Sequence, residues 1–292
     1  MWSSYIAALL MMLNPALINL ADSHVMAIVN VTPDSFYAAS RSATLEDVRC
    51  RVEHAVEEGA TIVDIGGYSS RPGAESVSVD EEWRRVALGL EAVRSAKQGV
   101  VVSIDTFRSA IVQRAYESYG PFIVNDISAG EADADMVATV ARLGLPYVAM
   151  HMRGTPETMA TMTDYDGGVV CSVVNYFRQR VSLLEACGIR RENIILDPGF
   201  GFAKSVEQNY ELLSGLAQLR KLGYPLLIGL SRKSMIYRML DITPEESLPG
   251  SLALAWESLR GGNAIVRVHD VAATRQVVDV ANYYKRVGYD KG

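Results

Sequence analysis

The chain carries eight short apolar runs that each close on a polar or charged residue, with stretches of helical periodicity between them. The runs end at Asn30, Asp64, Asp105, Asn125, His151, Asp197, Ser231-Arg232-Lys233 and Arg267-Val268-His269. A continuous apolar run such as VMAIVN at 25–30 suits a parallel strand buried on both faces. Strands alternating with helices build right-handed βαβ units on a parallel sheet. The expected fold class is therefore α/β, a single (β/α)8 TIM barrel. Such a barrel needs about 250 residues. The 292 residues are accordingly read as one domain, 1–292, with the core barrel at about 25–288. In this architecture the C-terminal strand ends converge on one mouth, so the eight polar run-ends are expected to face one another there.

The pattern also places individual elements. Strands are expected at 25–30, 61–65, 99–105, 121–125, 146–151, 193–197, 225–230 and 264–268. The first helix of the barrel starts near Thr44, with Asp47 three residues on to complete its cap, and ends at Gly59. Asp80 is the expected cap of the next helix, and Ser205 of one running to Gly223. A long helix is expected over 168–187 and a last one over about 273–287. The longest loops follow the first two strands, where lids over a mouth would sit.

Composition narrows the function classes. The net charge of −6 argues against a general nucleic-acid partner, while a few arginines in one mouth still attract a small anion. Cys50, Cys171 and Cys187 are odd in number and widely spaced, which gives neither a disulfide framework nor a zinc pattern. The apolar stretch 5–13 has no Lys or Arg before it and is too short to span a bilayer. It is expected to lie over the closed end of the barrel, opposite the mouth. The expectation is a cytoplasmic protein without a membrane anchor.

The run-ends carry the chemistry. Asn30 opens NVTPDSF, a neutral amide followed by a Pro- and Asp-containing flap, and an amide oxygen suits Mg2+. Asp64 is followed by two glycines and then Tyr68-Ser69-Ser70-Arg71-Pro72-Gly73, where glycine permits close backbone approach and Arg71 can reach a diphosphate. Asp105 and Asn125 end neighbouring strands. Asp197-Pro198-Gly199-Phe200-Gly201-Phe202-Ala203-Lys204 makes a tight turn with Phe202 as an apolar wall. Ser231-Arg232-Lys233-Ser234 opens a helix whose first N–H groups, with Ser234, can hold an anion. Arg267 and His269 alternate to the same side of the last strand.

Taken in order and at barrel spacing, NVTPDSF, SSRPG, Asp105, Asn125-Asp126-Ile127, DPGFGF, SRKS and RVHD resemble the dihydropteroate synthase family over about 25–287. No one of these motifs would suffice alone. The resemblance implies condensation of 7,8-dihydropterin-6-ylmethyl diphosphate with 4-aminobenzoate, with Mg2+, in a usually dimeric enzyme that sulfonamides inhibit. It implies that Asp105, Asn125, Met150, Asp197, Lys233 and Arg267 hold the pterin. Asn30, Arg71, Arg267 and His269 would serve the diphosphate, with Asn30 as metal ligand. Phe36, Ser70, Pro72, Phe202 and Ser234 would border the aminobenzoate. Asp105, Lys233, Arg267 and His269 would be the catalytic set.

Two departures stand out. Ala38 occupies a place where the family often has aspartate, and Tyr68-Ser69-Ser70 replaces Glu-Ser-Thr. Two other readings share the pterin residues: a folate-dependent methyltransferase, which needs no diphosphate site, and a non-catalytic pterin-binding paralogue, to which Ala38 is the pointer.

Overall fold

The apolar runs form a closed ring of parallel strands. The computed structural model describes residues 21–32, 44–68, 77–96, 99–155 and 158–288. The strands are β1 (His24–Asn30), β2 (Ile62–Gly66), β3 (Val101–Asp105), β4 (Ile123–Asp126), β5 (Tyr147–Met150), β6 (Ile194–Asp197), β7 (Leu227–Ile228) and β8 (Ile265–Val268). They pair in the order 6-5-4-3-2-1-8-7. A parallel bridge between Leu196 and Leu226 joins the two ends of that order, with Leu196 N donating to Pro225 O at 2.9 Å. Around the ring run α1 (Leu45–Glu57), α2 (Val79–Ser95), α3 (Ser109–Tyr119), α4 (Met136–Leu143), α5 (Val169–Ala186), α6 (Val206–Ser214), α7 (Leu216–Arg220), α8 (Ser234–Leu240), α9 (Leu248–Arg260) and α10 (Val271–Gly288).

Period-two alternation sorts each strand into two cores. In β1, Val25, Ala27 and Val29 join the large core between strands and helices, whereas Met26 belongs to a separate inner cluster. That inner cluster takes one residue from every strand: Met26, Ile62, Val101, Ile123, Val148, Ile195, Leu227 and Ile265. It is an apolar floor across the barrel. Two residues further along, the same faces of six strands present Asp64, Ser103, Asn125, Met150, Asp197 and Arg267. The sequence thus places a polar layer directly on an apolar plug.

Local signals mostly hold, and the exceptions have physical causes. Thr44 and Asp47 form the expected capping box: Thr44 Oγ1 accepts from Asp47 N at 3.2 Å, and Asp47 Oδ2 accepts from Thr44 N at 3.2 Å. A cap of this kind is worth about 1 kcal/mol. The second cap is Ser78, not Asp80, because Ser78 Oγ accepts from Glu81 N at 3.2 Å. Asp80 instead sits in the first turn of α2 and binds Arg114 at 2.8 Å. Ser205 does cap α6, but the helix breaks at Gly215, a poor helix former, and resumes as the short α7. β7 is two residues long rather than the expected run over 225–230, since Pro225 has no N–H and Gly229 favours leaving the sheet.

The three cysteines are free and exposed. Among the described residues no helix is long and apolar enough to cross a membrane. The expected packing of the N-terminal segment over the closed end falls largely on residues 1–20, outside the described residues.

Candidate active site

The polar layer is wired together by Arg267, which enters from β8. Its Nε donates to Asp64 Oδ2 at 2.6 Å and its Nη2 to Asp105 Oδ2 at 2.8 Å. Asp64 Oδ2 also accepts from Asn125 Nδ2 at 3.0 Å. One guanidinium therefore links β8 to β2 and β3, and the Asp64 carboxylate extends the link to β4. Burial works against the charge on Arg267, and Asp64, Asp105 and Asp197 more than offset it, so its pKa rises further. Burial drives the Asp105 carboxyl up to about 7, with Arg267 pulling against it and the Asp64 charge adding to the rise. Asp64 Oδ1 and Ser103 Oγ, paired across β2 and β3, are buried and have no hydrogen-bond partner. Buried polar atoms are normally satisfied, so these two oxygens face a place where a polar ligand or water belongs.

The other half of the layer comes from β5, β6 and the start of α8. Asp197 is buried, and its Oδ1 accepts from Gly199 N at 2.8 Å. Burial raises its pKa, against the Gly199 N–H and the charges of Lys233, Arg267 and Lys204. Met150 lies opposite Asp197 in the β5–β6 register and is 3% exposed. Lys233 immediately precedes α8, with its ammonium 4.4 Å from the centre of the Phe202 ring. Burial lowers its pKa to about 8, with Asp197 raising it and Arg267 lowering it. Ser234 is the first residue of α8.

At the rim, Ser231 Oγ and His269 Nδ1 are 3.1 Å apart, and His269 N donates to Ser231 Oγ at 3.2 Å. Desolvation and the charges of Arg267 and Arg232 lower the His269 pKa, so its ring is neutral near pH 7 and acts as a hydrogen-bonding group rather than a charge.

Glycine is required at two places here. A Cβ on Gly66 would lie 2.9 Å from Asn30 Oδ1, so the bare backbone leaves room for the amide. At Gly199 φ is +69°, and a Cβ would lie 2.0 Å from His151 O. Gly199→Ala should therefore lower stability by about 3 kcal/mol or more. Urea unfolding reads this directly, and an unchanged midpoint would contradict the tight seat of this turn.

Among the described residues no group of three or more His, Cys, Asp or Glu forms a metal cage. The candidate ligand that sequence reasoning named is Asn30, whose amide oxygen stands over Gly66 at the mouth. A single protein oxygen fits a magnesium ion that keeps its waters and leans on substrate phosphates.

The sequence of residues 26–269 matches the family described as pterin binding enzyme. A dihydropteroate synthase from Synechocystis sp. is 42% identical over 89% of this chain and 89% of its own length. The chain belongs to the dihydropteroate synthase family. Solved structures agree in fold. A Yersinia pestis dihydropteroate synthase, in a sulfonamide drug complex, superposes with a TM-score of 0.85 at 34% identity, covering 92% of this chain and 96% of that one. A Xanthomonas albilineans dihydropteroate synthase in complex with 7,8-dihydropteroate gives 0.80 at 35%, covering 92% and 95%.

Among the expected site residues, the structure brings Asp105, Asn125, Asp197, Met150, Lys233, Arg267 and Phe202 into or beside the polar layer, with Asn30, Ser234 and His269 at the rim. Phe36, Ser70, Arg71 and Pro72, like Ala38, lie outside the described residues. Sequence reasoning gave Asp64 no role, although it is the central acceptor. Its place one alternation beyond Ile62 was the available signal. Arg232 was also passed over. It adopts φ +54°, and its Nε and Nη2 reach Asp270 at 3.0 and 2.6 Å. A left-handed non-glycine residue costs about 1 kcal/mol or more. That strained residue separates Ser231 from Lys233, and its ion pair ties them to the residue after His269. Nothing in the local sequence signals it.

Proposed function

We propose that the chain joins 7,8-dihydropterin-6-ylmethyl diphosphate to 4-aminobenzoate, giving 7,8-dihydropteroate and diphosphate. The observation that carries this reading is the polar layer itself: a guanidinium held by two acids beside Asn125 and Asp197, on an apolar floor. An amino-pyrimidinone edge presents adjacent N–H donors, and Asp197 accepts them as a pair, since each carboxylate oxygen keeps a further acceptor site. Asn125 both donates and accepts. Lys233 donates to the ring's acceptors, and Met150 packs against its face. Arg267 covers the ring from the β8 side.

In the reaction the C–O bond to diphosphate breaks, with its electron pair leaving on the diphosphate. The pterin methylene becomes cationic, and the amine nitrogen forms the new C–N bond. The amine's proton then passes to water or to the released diphosphate. Asp105 stabilises the methylene charge more than the neutral ground state, which is the kind of binding that raises kcat. Magnesium, held through Asn30, would supply positive charge to the leaving group. Arg71 and His269 are assigned to that diphosphate. Phe202 and Ser234 border the aminobenzoate together with Phe36, Ser70 and Pro72. Sulfonamides, which share the arylamine shape, are expected to compete there.

The charged states set a pH profile. kcat/KM should fall on the acid side as Asp105 takes up a proton, and on the alkaline side as Lys233 loses one at about 8. Lys233→Arg should move the alkaline limb upward. A flat profile between about pH 6 and 9 would refute both roles.

The reading also makes the protein a cytoplasmic homodimer. Its support is the free, exposed cysteines, which suit a reducing compartment, and the outer face of α10. There Val280, Tyr283, Tyr284 and Val287 are all more than half exposed. Sedimentation of the purified protein tests the dimer.

The test of the reaction is direct. With both substrates and magnesium, dihydropteroate and diphosphate should appear one for one, and chelation of magnesium should slow them. Pterin binding without turnover would favour a non-catalytic paralogue.

A further inference from the structure

The turn after β6 contains a buried lysine that the proposed chemistry does not use. Lys204 is 8% exposed, and all three of its ammonium donors are engaged. They meet Gly199 O at 2.9 Å, Phe202 O at 3.0 Å and His151 Nδ1 at 3.0 Å. His151 follows β5 directly and is 3% exposed, with its ring edge-on to Tyr176 at 4.9 Å. To accept from an ammonium, the imidazole must be neutral with its proton on Nε2. Burial and then the Lys204 charge hold its pKa down to about 2, while burial lowers Lys204 itself to about 7, with Asp197 raising it, so the imidazole is the neutral partner of the pair.

Burying an ammonium is costly, and a methionine of similar length would fill the same space without that cost. What the ammonium adds is geometry. Its two carbonyl acceptors bracket residues 199–202, and its third partner belongs to the neighbouring strand. The bracketed turn holds two parts of the site: Gly199 N binds Asp197 Oδ1 at 2.8 Å, and the Phe202 ring lies 4.4 Å from Lys233 Nζ.

We infer that Lys204 is a positioning residue for the pterin subsite: it pins the 199–202 turn to the end of β5 and so fixes Asp197 and Phe202 relative to Lys233. The inference rests on the assignment of Asp197 and Lys233 to the pterin.

Two variants test it from opposite ends of one hydrogen bond. Lys204→Met removes the donor and keeps the side chain's length. His151→Phe removes the acceptor and keeps a ring against Tyr176. For each, steady-state kinetics give kcat and both KM values, calorimetry gives the Kd for the pterin diphosphate, and thermal unfolding gives Tm. Both variants should raise the KM and Kd for the pterin diphosphate by about tenfold or more, with a smaller change for 4-aminobenzoate. The double variant should be no worse than Lys204→Met alone, because that substitution already removes the contact to His151. Folded variants with a lowered Tm and pterin constants within about twofold of wild type would overturn the inference, leaving Lys204 a role in stability alone. If Lys204→Met does not fold, His151→Phe decides by the same criterion. Wild-type protein that fails to bind the pterin diphosphate would instead overturn the assignment beneath it.

Discussion

Asp105→Asn should lower kcat/KM by about two to three orders of magnitude while leaving the protein folded. The exchange keeps the shape of the side chain and an oxygen for Arg267 Nη2, which Asp105 now accepts at 2.8 Å. In the proposed mechanism it removes the negative charge that faces the methylene as diphosphate departs. A charge that matters only once the cation develops is lost from kcat, not from ground-state binding. The pterin's affinity should therefore change little beside the fall in turnover. Arg267 would keep its contact to Asp64 at 2.6 Å, so the fold should survive. A variant that turns over within about threefold of wild type would remove Asp105 from the mechanism.

Asp64→Ala should act the other way, on stability first. Asp64 is fully buried and accepts from both Arg267 and Asn125 through Oδ2. Its loss leaves a partly buried guanidinium with Asp105 as its remaining acid partner and strips Asn125 of that partner. Breaking a buried pair in this way costs about 3–5 kcal/mol, a large share of the stability of an ordinary domain. Denaturant unfolding should show the midpoint fall by a corresponding amount, and any folded remainder should bind pterin poorly because Arg267 and Asn125 are no longer held. An unchanged midpoint would mean that the Asp64–Arg267 contact does not organise the layer. Comparison with Asp105→Asn separates the two acids that share one arginine: the Asp105 variant should act on kinetics and the Asp64 variant on stability.

The barrel was legible because parallel strands covered on both faces must be apolar throughout, so their polar ends stand out. The run ending at Asp197 and the helix opening at Thr44 are found where the pattern puts them. Boundaries failed where a backbone detail overruled the pattern, as at Pro225 beside β7 and at Gly215 between α6 and α7. Within the site, the run pattern put polar strand ends such as Asp105, Asn125 and Asp197 at the mouth, and the family resemblance supplied their roles. What could not be read were pairings across the barrel. Arg267 meets an acid 203 positions away, and Lys204 meets a histidine 53 positions away. Neither partner announces itself by spacing. Arg232 is harder still, because its left-handed backbone goes with contacts to residues far along the chain, Asp270 and Ser251, whose Oγ accepts from Arg232 N at 3.0 Å. The same holds for Glu82, which helical periodicity places on α2. It is buried against Thr106 at 2.6 Å and Arg108 at 2.8 Å, bracing the residues that follow Asp105.

The most direct measurement is a crystal structure of this protein with 7,8-dihydropteroate. The pterin should lie on the apolar floor, its amino-pyrimidinone edge hydrogen-bonded to Asp197 and Asn125, with Lys233 and Arg267 alongside. Product bound away from this layer, with Asp197 and Asn125 untouched, would contradict this placement.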